Sequence, residues 1–414
     1  MSMMRVVAIA VCLGWILGVP SAQGVEAQEN GGAECRMRPG TFTTGSSNHQ
    51  RINLLADEPS TGGAVFVVAN KFAVNTDGSP RSYHLLDPKG EKYALNNICN
   101  AVVTVFDGSS EISCFNANQR QRYYEIVARV VRERSGFGFS DTGYDPKHDA
   151  EYAVAGDFGL DLDEPEFPLA AGPPTYKYPI EAFPRAAGKR KFCYNCNGAS
   201  CRVCFDENII KVGRDKACIR DKGKYAGYLA NLTSLDPIAS NAPDPENVDG
   251  ANLDDDICRH EIRIDAEKLP GVVLPRGALG ADGEDQKVRI GDIAILYNLH
   301  TARWAFAVVN DAGPAKDFGE GSVALNRILR SGYKSSTTRP VNYKDAKGLH
   351  IANRVALLLF PGTKAGFNGD YSPISVAKAG KKAFEQWGGG DLVKARQRFR
   401  DCLKVLPESY AGQY

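Results

Sequence analysis

The sequence predicts a β-rich α+β domain with a barrel-like β core and helices at its periphery. Its 414 residues include 42 glycines and 22 prolines, so turns are frequent along the chain. The most apolar segments are short and rich in β-branched residues, as is typical of strands. Stretches with helical periodicity are fewer. A majority of strands with separate helices is typical of a sheet against which helices pack.

The predicted strands follow from short apolar runs that end at turn residues. Residues His300 to Arg303 separate two such runs and predict a hairpin. Pro361 and Gly362 end the last run. The predicted strands cover residues 64–68, 102–106, 272–274, 290–299, 304–309 and 355–360.

Two segments predict helices. Residues 121–134 place their apolar side chains largely on one face of a helix. A second helix begins after Asp391, a residue type that caps helix N-termini, and runs to about Leu406. The side chains of that helix predicted to face the core are Leu392, Ala395, Phe399 and Leu403.

The first 24 residues have the pattern of a signal peptide. Arg5 precedes an apolar run from Val6 to Val19, and small residues follow Pro20. A membrane anchor is the alternative, but a spanning helix needs roughly 20 apolar residues and this run is shorter. We therefore expect a secreted protein, either extracellular or periplasmic.

The rest of the chain predicts a linker at 25–40 and one domain at 41–414, with an insertion at about 116–211. The net charge of +1 selects neither nucleic acid nor a membrane as a partner, and we expect a monomer. Two acidic stretches, at 157–166 and 244–256, suit a polycationic substrate. Solvated loops are the simpler interpretation of both.

Cysteines are the most unusual feature of the composition. Ten of the 11 remain after removal of the signal peptide, and an even number in an exported chain predicts disulfides. Four lie within twelve residues, at Cys193, Cys196, Cys201 and Cys204. Paired Cys-x2-Cys elements also bind zinc, but the four residues between these two pairs are fewer than zinc ribbons usually have. The cluster predicts disulfides, and no metal site is expected.

One segment carries a pattern that suits acid–base chemistry. Asp311 ends a predicted strand, a Gly-Pro turn follows, and Glu320 lies between two glycines nine positions later. A glycosidase needs two carboxyl groups on opposite sides of the bond that it cleaves. The spacing allows both groups to reach one cleft, and the glycines would let a polymer approach Glu320 closely. Acidic residues also occupy loops for solubility alone, so the pattern is not specific by itself.

Five segments, in order along the chain, resemble glycoside hydrolase family 75, the endo-chitosanases. The central one is Val309-Asn310-Asp311, Gly313-Pro314 and Phe318-Gly319-Glu320-Gly321-Ser322, which is similar to the signature of that family. The other four similar segments are residues 75–84, 225–235, 264–275 and 359–363.

The resemblance implies hydrolysis of internal β-1,4 bonds in chitosan, with inversion at the anomeric carbon and without a cofactor. It implies an essential pair, Asp311 and Glu320, which we assign as general base and general acid, respectively. The resemblance does not determine which of the two residues is the acid and which is the base. Asp77, Tyr83 and His84 are candidate substrate-binding residues, for the ammonium of glucosamine, for stacking and for a hydrogen bond. Each also has a structural interpretation: Asp77 in a β-turn, and Tyr83 and His84 in the core.

The sequence departs from the family pattern at two places, and two other functions remain open. Asn310 replaces a glycine before Asp311, and Leu229-Ala230-Asn231 replaces Val-Ser-Gln. The Asp-Ala-Gly-Pro turn that begins at Asp311 also resembles double-psi barrels, which makes a peptidoglycan-cleaving enzyme one alternative. A secreted glycan-binding protein without catalysis is the other.

Overall fold

The computed structural model describes the part of the chain that forms the sheets and the site. These residues are 35–43, 51–57, 63–84, 87–100, 104–107, 110–133, 192–195, 202–205, 209–212, 215–219, 228–230, 265–275, 278–279, 287–313, 318–332, 340–363 and 373–406. The predicted signal peptide and both acidic stretches lie outside them. Within these residues, no helix has the length and apolar character needed to cross a membrane.

A mixed sheet of nine strands is the largest element of the described structure. Its strands, in chain order, are β1 (Arg38–Thr43), β2 (Arg51–Ala56), β3 (Val65–Ala69), β4 (Ala73–Asn75), β13 (Gly271–Pro275), β14 (Ile293–Asn298), β15 (Arg303–Gly313), β16 (Glu320–Ser322) and β17 (Val355–Phe360). Their order across the sheet is β1-β2-β3-β17-β14-β15-β13-β16-β4. The pairs β13–β15 and β16–β4 are parallel, and the other pairs are antiparallel.

Two four-stranded sheets flank the large one. The first, in the order β10-β11-β12-β5, uses β5 (Tyr83–His84), β10 (Ile209–Val212), β11 (Asp215–Ile219) and β12 (Tyr228–Ala230). The second, in the order β7-β6-β8-β9, uses β6 (Thr104–Asp107), β7 (Ser110–Ser113), β8 (Phe192–Asn195) and β9 (Arg202–Phe205). Part of the predicted insertion therefore joins the sheet of β6.

The expected barrel-like core, double-psi-like or otherwise, is wrong. A barrel closes when its first and last strands pair. In the described residues β1 and β4 are the two ends of the large sheet, and they do not pair with each other. Helices cover the sheet instead, so it does not need to curl upon itself to bury its apolar side chains.

Five helices accompany the sheets in the described residues: α1 (Arg120–Glu133), α2 (Val323–Ser331), α3 (Tyr343–Gly348), α4 (Pro373–Trp387) and α5 (Leu392–Val405). The predictions of α1 and α5 are confirmed. The side chain of Asp391 accepts a hydrogen bond from the Lys394 amide at 2.9 Å and caps α5 as expected. The sequence did not indicate α4.

The sheet buries both faces because its central strands are apolar on both sides. All six residues of β17, Val-Ala-Leu-Leu-Leu-Phe, are buried. One face packs against α4 and α5, where the rings of Phe66 and Trp304 each lie 4.7 Å from that of Phe399. The other face packs against Leu325 and Leu329 of α2. The predicted strands at 64–68, 272–274 and 355–360 are the interior strands β3, β13 and β17.

Two disulfides join cysteines of the described residues, in agreement with the predicted oxidised state. Cys35 pairs with Cys402 of α5, with α-carbons 4.7 Å apart, and Cys99 pairs with Cys114 at 5.8 Å. In the predicted cysteine cluster, the register of β8 and β9 places the α-carbons of Cys193 and Cys204 opposite each other. Cys196 and Cys201 lie outside the described residues, so the pairing within the cluster stays a prediction.

Candidate active site

A cavity of about 1070 Å³ lies at the β13–β16–β4 end of the large sheet. Asp77, Tyr83, Asp311 and Glu320, four of the five predicted site residues, line it. Residues from β4, the segment 75–100, β15, β16 and α3 form its walls. Side chains that are far apart in sequence thus meet at one concave surface, as is typical of ligand sites.

Strand pairing explains why Asp311 and Glu320 meet. Asp311 on β15 and Glu320 on β16 are the α-carbon partners of the same residue, Val273 of β13, on its two sides. Adjacent strands lie about 4.8 Å apart, so the two α-carbons are roughly 10 Å apart with one strand between them. The register therefore places the α-carbons of the two residues on either side of β13.

A bulge in β15 lies immediately before Asp311. The partner of Val272 is Val309 and that of Val273 is Asp311, so Asn310 is an extra residue of β15. Asn310 is buried, and its side chain fills the space above the α-carbon of Gly271. Bulges bend a strand and redirect its side chains. The Asn310 that departs from the family pattern is therefore accommodated by a glycine on the neighbouring strand.

The glycines beside Glu320 serve packing, which differs from the expected role of admitting a polymer. Gly319 and Gly321 are both buried. A Cβ on Gly319 would overlap the Lys71 carbonyl oxygen, and its φ of 120° also favours glycine. A Cβ on Gly321 would overlap the ring of Phe72. A Cβ on Gly313 would overlap Val273 Cγ1 at 2.8 Å, whereas Glu320 Oε2 would lie at an ordinary contact distance of 3.4 Å.

Asp77 and Tyr83 form a hydrogen-bonded pair in the cavity wall. The Tyr83 hydroxyl donates to Asp77 Oδ1 at 2.8 Å, and Asn96 Nδ2 donates to the same hydroxyl at 3.3 Å. Burial raises the pKa of Tyr83 well above its ordinary value, and the negative charges of Asp77 and Glu320 raise it further. Tyr83 therefore keeps its proton at neutral pH and holds the Asp77 carboxylate in place.

His84 lies outside the cavity lining. It is buried, and its ring packs edge-on against Tyr93 at 4.5 Å and Tyr228 at 4.6 Å. β5 pairs with β12 at this point, with Tyr228 as the α-carbon partner of His84. The structure thus places His84 in an aromatic cluster behind the wall that carries Tyr83.

A buried ion pair fixes the turn that carries Asp77. Arg81 and Glu267 are almost fully buried, and Arg81 binds the carboxylate through Nε at 3.1 Å and through Nη2. Ser79 Oγ donates to Glu267 at 2.8 Å. Arg81 Nη2 also donates to the Pro340 carbonyl at 2.8 Å, just before α3. The turn, the segment that precedes β13 and the segment that precedes α3 are therefore held together by one guanidinium.

No role was assigned to Arg81 or Glu267 from the sequence. Arg81 lies inside the family-like segment 75–84 and Glu267 inside the family-like segment 264–275, which was the available signal. The two residues are 186 positions apart, and the sequence does not indicate that their side chains pair.

Two further groups in the lining were also missed. Phe115 is 58% exposed and lies at the cavity, directly after the disulfide-bonded Cys114. Tyr343 and Lys347 of α3 and the following His350 also line the cavity. Lys347 Nζ lies 4.4 Å from the centre of the Tyr343 ring, within the range of a cation–π interaction.

Comparison with known proteins does not assign this chain to a family. No protein-family model matches the chain, and no curated protein is similar to it at a significant level. The interpretation of the site therefore depends on its geometry and on the resemblance of the sequence segments described above.

Proposed function

We propose that this protein is a secreted endo-glycosidase that hydrolyses β-1,4 bonds between glucosamine units of chitosan. The observation that supports this most is the placement of Asp311 and Glu320 on either side of Val273 at one cavity. Two carboxyl groups on opposite sides of a bond are what glycoside hydrolysis requires. The motif similarity to family 75 endo-chitosanases adds the substrate class.

In the proposed reaction, Glu320 donates its proton to the glycosidic oxygen as the bond to the anomeric carbon breaks. Asp311 takes a proton from a water molecule whose oxygen attacks that carbon from the opposite face. Both carboxyl groups exchange their protons with solvent before the next cycle. Inverting enzymes hold the two groups about 6.5–9.5 Å apart to admit this water. An α-carbon separation of roughly 10 Å across one strand is compatible with that distance.

The charge of the cavity suits a cationic glycan. Asp77, Asp311 and Glu320 all line it, and carboxylates attract the ammonium groups of glucosamine. The hydrogen bond from the Tyr83 hydroxyl orients the Asp77 carboxylate, which can then accept a hydrogen bond from such an ammonium group. The exposed ring of Phe115 offers an apolar face on which a sugar ring can pack. The reaction needs no cofactor, and we propose that the enzyme acts as a monomer, without nucleic acid or membrane partners.

A peptidoglycan-cleaving enzyme is a second candidate, and one observation favours it. Lys347 and His350 line the cavity, and a basic group suits the free carboxylates of the peptide stems that muramic acid units carry. The same catalytic pair would serve both reactions. Lysis of cell-wall sacculi by the wild-type protein, without release of reducing ends from chitosan, would support this candidate.

The test of the proposed function is reducing-end release from highly deacetylated chitosan by the oxidised protein. Asp311→Asn and Glu320→Gln should each lower kcat by about 10²- to 10⁴-fold, because each removes an acid–base group. Glu125→Gln, a change at an exposed glutamate on α1, is the matched control and should leave activity unchanged. Circular dichroism of each variant establishes that it is folded. Absence of activity in the wild type between weakly acidic and neutral pH would refute the proposal.

A further inference from the structure

The helices α4 and α5 concentrate positive charge. Eight Lys and Arg residues and two Asp and Glu residues lie in them, so the two helices carry a net charge of +6, whereas the whole chain carries +1. The charge of the protein is therefore distributed unevenly. A local excess of one sign creates a field that attracts partners of the opposite sign.

The positive side chains lie on one surface. Both helices bury their apolar sides against the same face of the large sheet and pack against each other, so their outer sides point away from the sheet. In these two helices every exposed charged side chain is positive, and we call these five residues the basic face: Lys378, Lys382, Lys394, Arg400 and Lys404. None of the five lines the cavity that holds Asp311 and Glu320.

The ion pairs that stabilise these helices mostly use other residues. Arg398 binds the buried Asp57 at 2.7 Å and connects α5 to the end of β2. The two acidic residues, Glu385 and Asp401, are half-buried, and each pairs with a lysine of its own helix. Of the basic face, Lys404 is the lysine that pairs with Asp401. The other four form no ion pair within the described part of the chain, so the fold does not use their charges.

The arrangement of these charges suits an anionic polymer. Lys378 with Lys382, and Arg400 with Lys404, are four positions apart and adjoin on the surface of their helix. Repeated positive charges can contact several units of a polyanion at once. A membrane is a poorer partner, because helices that lie in a membrane surface insert an apolar side, and the apolar sides of α4 and α5 are buried against the sheet.

The proposed substrate indicates which polyanion to expect. Chitosan is a polycation, so the basic face repels it, whereas the carboxylates of the cavity attract it. A polycation in an insoluble network needs anions that neutralise its charge. An acidic polysaccharide mixed with chitosan would meet the basic face while a chitosan chain enters the cavity.

We propose that the basic face of α4 and α5 binds an acidic polysaccharide and holds the enzyme on networks in which that polymer is mixed with chitosan. The choice of partner rests on the proposed function, since it is chitosan that requires a polymer of opposite charge. The basic face takes no part in bond cleavage.

The first experiment measures binding directly. The probe is polygalacturonate, and its fully methyl-esterified form is the control polymer, because it has the same backbone without the charge. Lys394→Glu combined with Arg400→Glu reverses two charges of the basic face. Arg122→Glu combined with Lys344→Glu is the matched control, since it makes the same change at two exposed residues of α1 and α3. Circular dichroism establishes that each variant is folded.

The wild type should bind polygalacturonate and not the ester, and its affinity should fall as salt is added, because salt screens exposed charges. Reversal at Lys394 and Arg400 should raise the Kd at least about tenfold, since like charges at contact repel. Lys378→Glu combined with Lys382→Glu should have the same effect, and this second pair tests the face on the other helix. The matched control should bind as the wild type does.

The second experiment relates binding to hydrolysis. Reducing-end release is measured on soluble chitosan and on an insoluble complex of chitosan with polygalacturonate. Reversal at Lys394 and Arg400 should lower the rate on the complex relative to the rate on soluble chitosan, whereas the matched control should keep the wild-type ratio. The kcat on a glucosamine hexamer should be the same in all of them, because the basic face lies outside the cavity lining.

An equal Kd for polygalacturonate in the charge-reversed variants and the matched control would overturn the inference while leaving the proposed function intact. Equal binding of the methyl ester would also overturn it, because the contact would then not depend on charge. Tighter binding of duplex DNA or of phosphatidylglycerol vesicles would overturn it in favour of a nucleic acid or a membrane. Failure to cleave chitosan would refute the proposed function, and the binding of polygalacturonate would still decide whether the basic face is a polyanion site.

Discussion

The centre of the large sheet and one of its ends are stabilised by different kinds of contact. At the centre, in β17, β14 and β15, aromatic and aliphatic side chains pack between the sheet and the helices α4 and α5. At the β13–β16–β4 end, polar side chains connect the strands to the surrounding segments. Apolar packing tolerates small displacements, whereas hydrogen bonds and ion pairs depend on direction and distance. The difference shows that the carboxylates lie where the geometry is most constrained.

Two small polar residues illustrate this at the cavity end. Ser322 Oγ accepts from the Gly271 amide at 2.9 Å, donates to the Leu269 carbonyl at 2.8 Å and caps α2. Asn326 Nδ2 lies 3.3 Å from the Phe72 carbonyl and 3.3 Å from the Ala73 carbonyl. Each side chain ties two or more segments together, so β16, which carries Glu320, is held from both sides.

Phe399→Ala should have the largest effect on stability and little on the site. The ring is fully buried against Phe66 and Trp304, and its removal leaves a cavity that costs about 4 kcal/mol. Urea unfolding measures the loss. The kcat per folded molecule should stay within about twofold of wild type, because Phe399 and the rings that it contacts do not line the cavity. A loss of kcat in proportion to the loss of stability would remove the distinction between the two regions.

Glu267→Gln should destabilise the protein by about 3 kcal/mol and also lower activity. Arg81 would keep its charge in a buried position without its carboxylate partner. The double variant Arg81→Met, Glu267→Met should recover much of the stability, because it removes both charges. Its kcat/KM should stay low, since the turn that carries Asp77 is no longer fixed. Recovery of both stability and activity in the double variant would show that the ion pair has no positioning role.

Tyr83→Phe should reduce activity about tenfold and stability by about 1 kcal/mol, because it removes one buried hydrogen bond to Asp77. The raised pKa of Tyr83 also makes a prediction about pH. Its contribution to stability is complete below the unfolded-state pKa of about 10 and is lost as pH rises toward the folded value. Tyr83→Phe should therefore lose less stability than wild type between pH 10 and 11. Parallel unfolding curves at those pH values would contradict this account.

Phe115→Ala should have the smallest effect, and only on long substrates. The side chain is 58% exposed, so its removal should leave the free energy of unfolding within about 0.5 kcal/mol of wild type. We expect a few-fold rise in KM for the polymer and none for short oligomers. Val393→Ala, at a 73% exposed residue of α5, is the control. A rise in KM that is equal for all chain lengths would argue against a peripheral sugar contact.

The sequence indicated some elements of the fold and missed others. The strands β3, β13 and β17 are continuous apolar runs, and the sequence indicated them. The helix α4 was missed because Gly380 interrupts its apolar pattern. The structure explains that glycine, since a Cβ there would overlap the ring of Phe306. The open order of the sheet was not predictable, because local patterns do not specify which strands become neighbours.

At the site, the sequence indicated the side chains that lie in one motif and missed those that meet through the fold. Asp311 and Glu320 are nine positions apart, and a strand followed by a turn can bring such residues together. The pairing of Arg81 with Glu267 depends on a contact over 186 residues. Lys347 lies on the short helix α3. Nothing in the sequence of that helix indicates that Lys347 lines a cavity.

The most direct test of the account is the anomeric form of the first product. Proton NMR can follow the cleavage of glucosamine or partly acetylated hexamers from the first seconds of the reaction. An inverting pair on opposite sides of the bond predicts that the new reducing end forms first as the α-anomer and then mutarotates. First appearance of the β-anomer, or no cleavage of either hexamer, would contradict the claim that Asp311 and Glu320 act on a water molecule held between them.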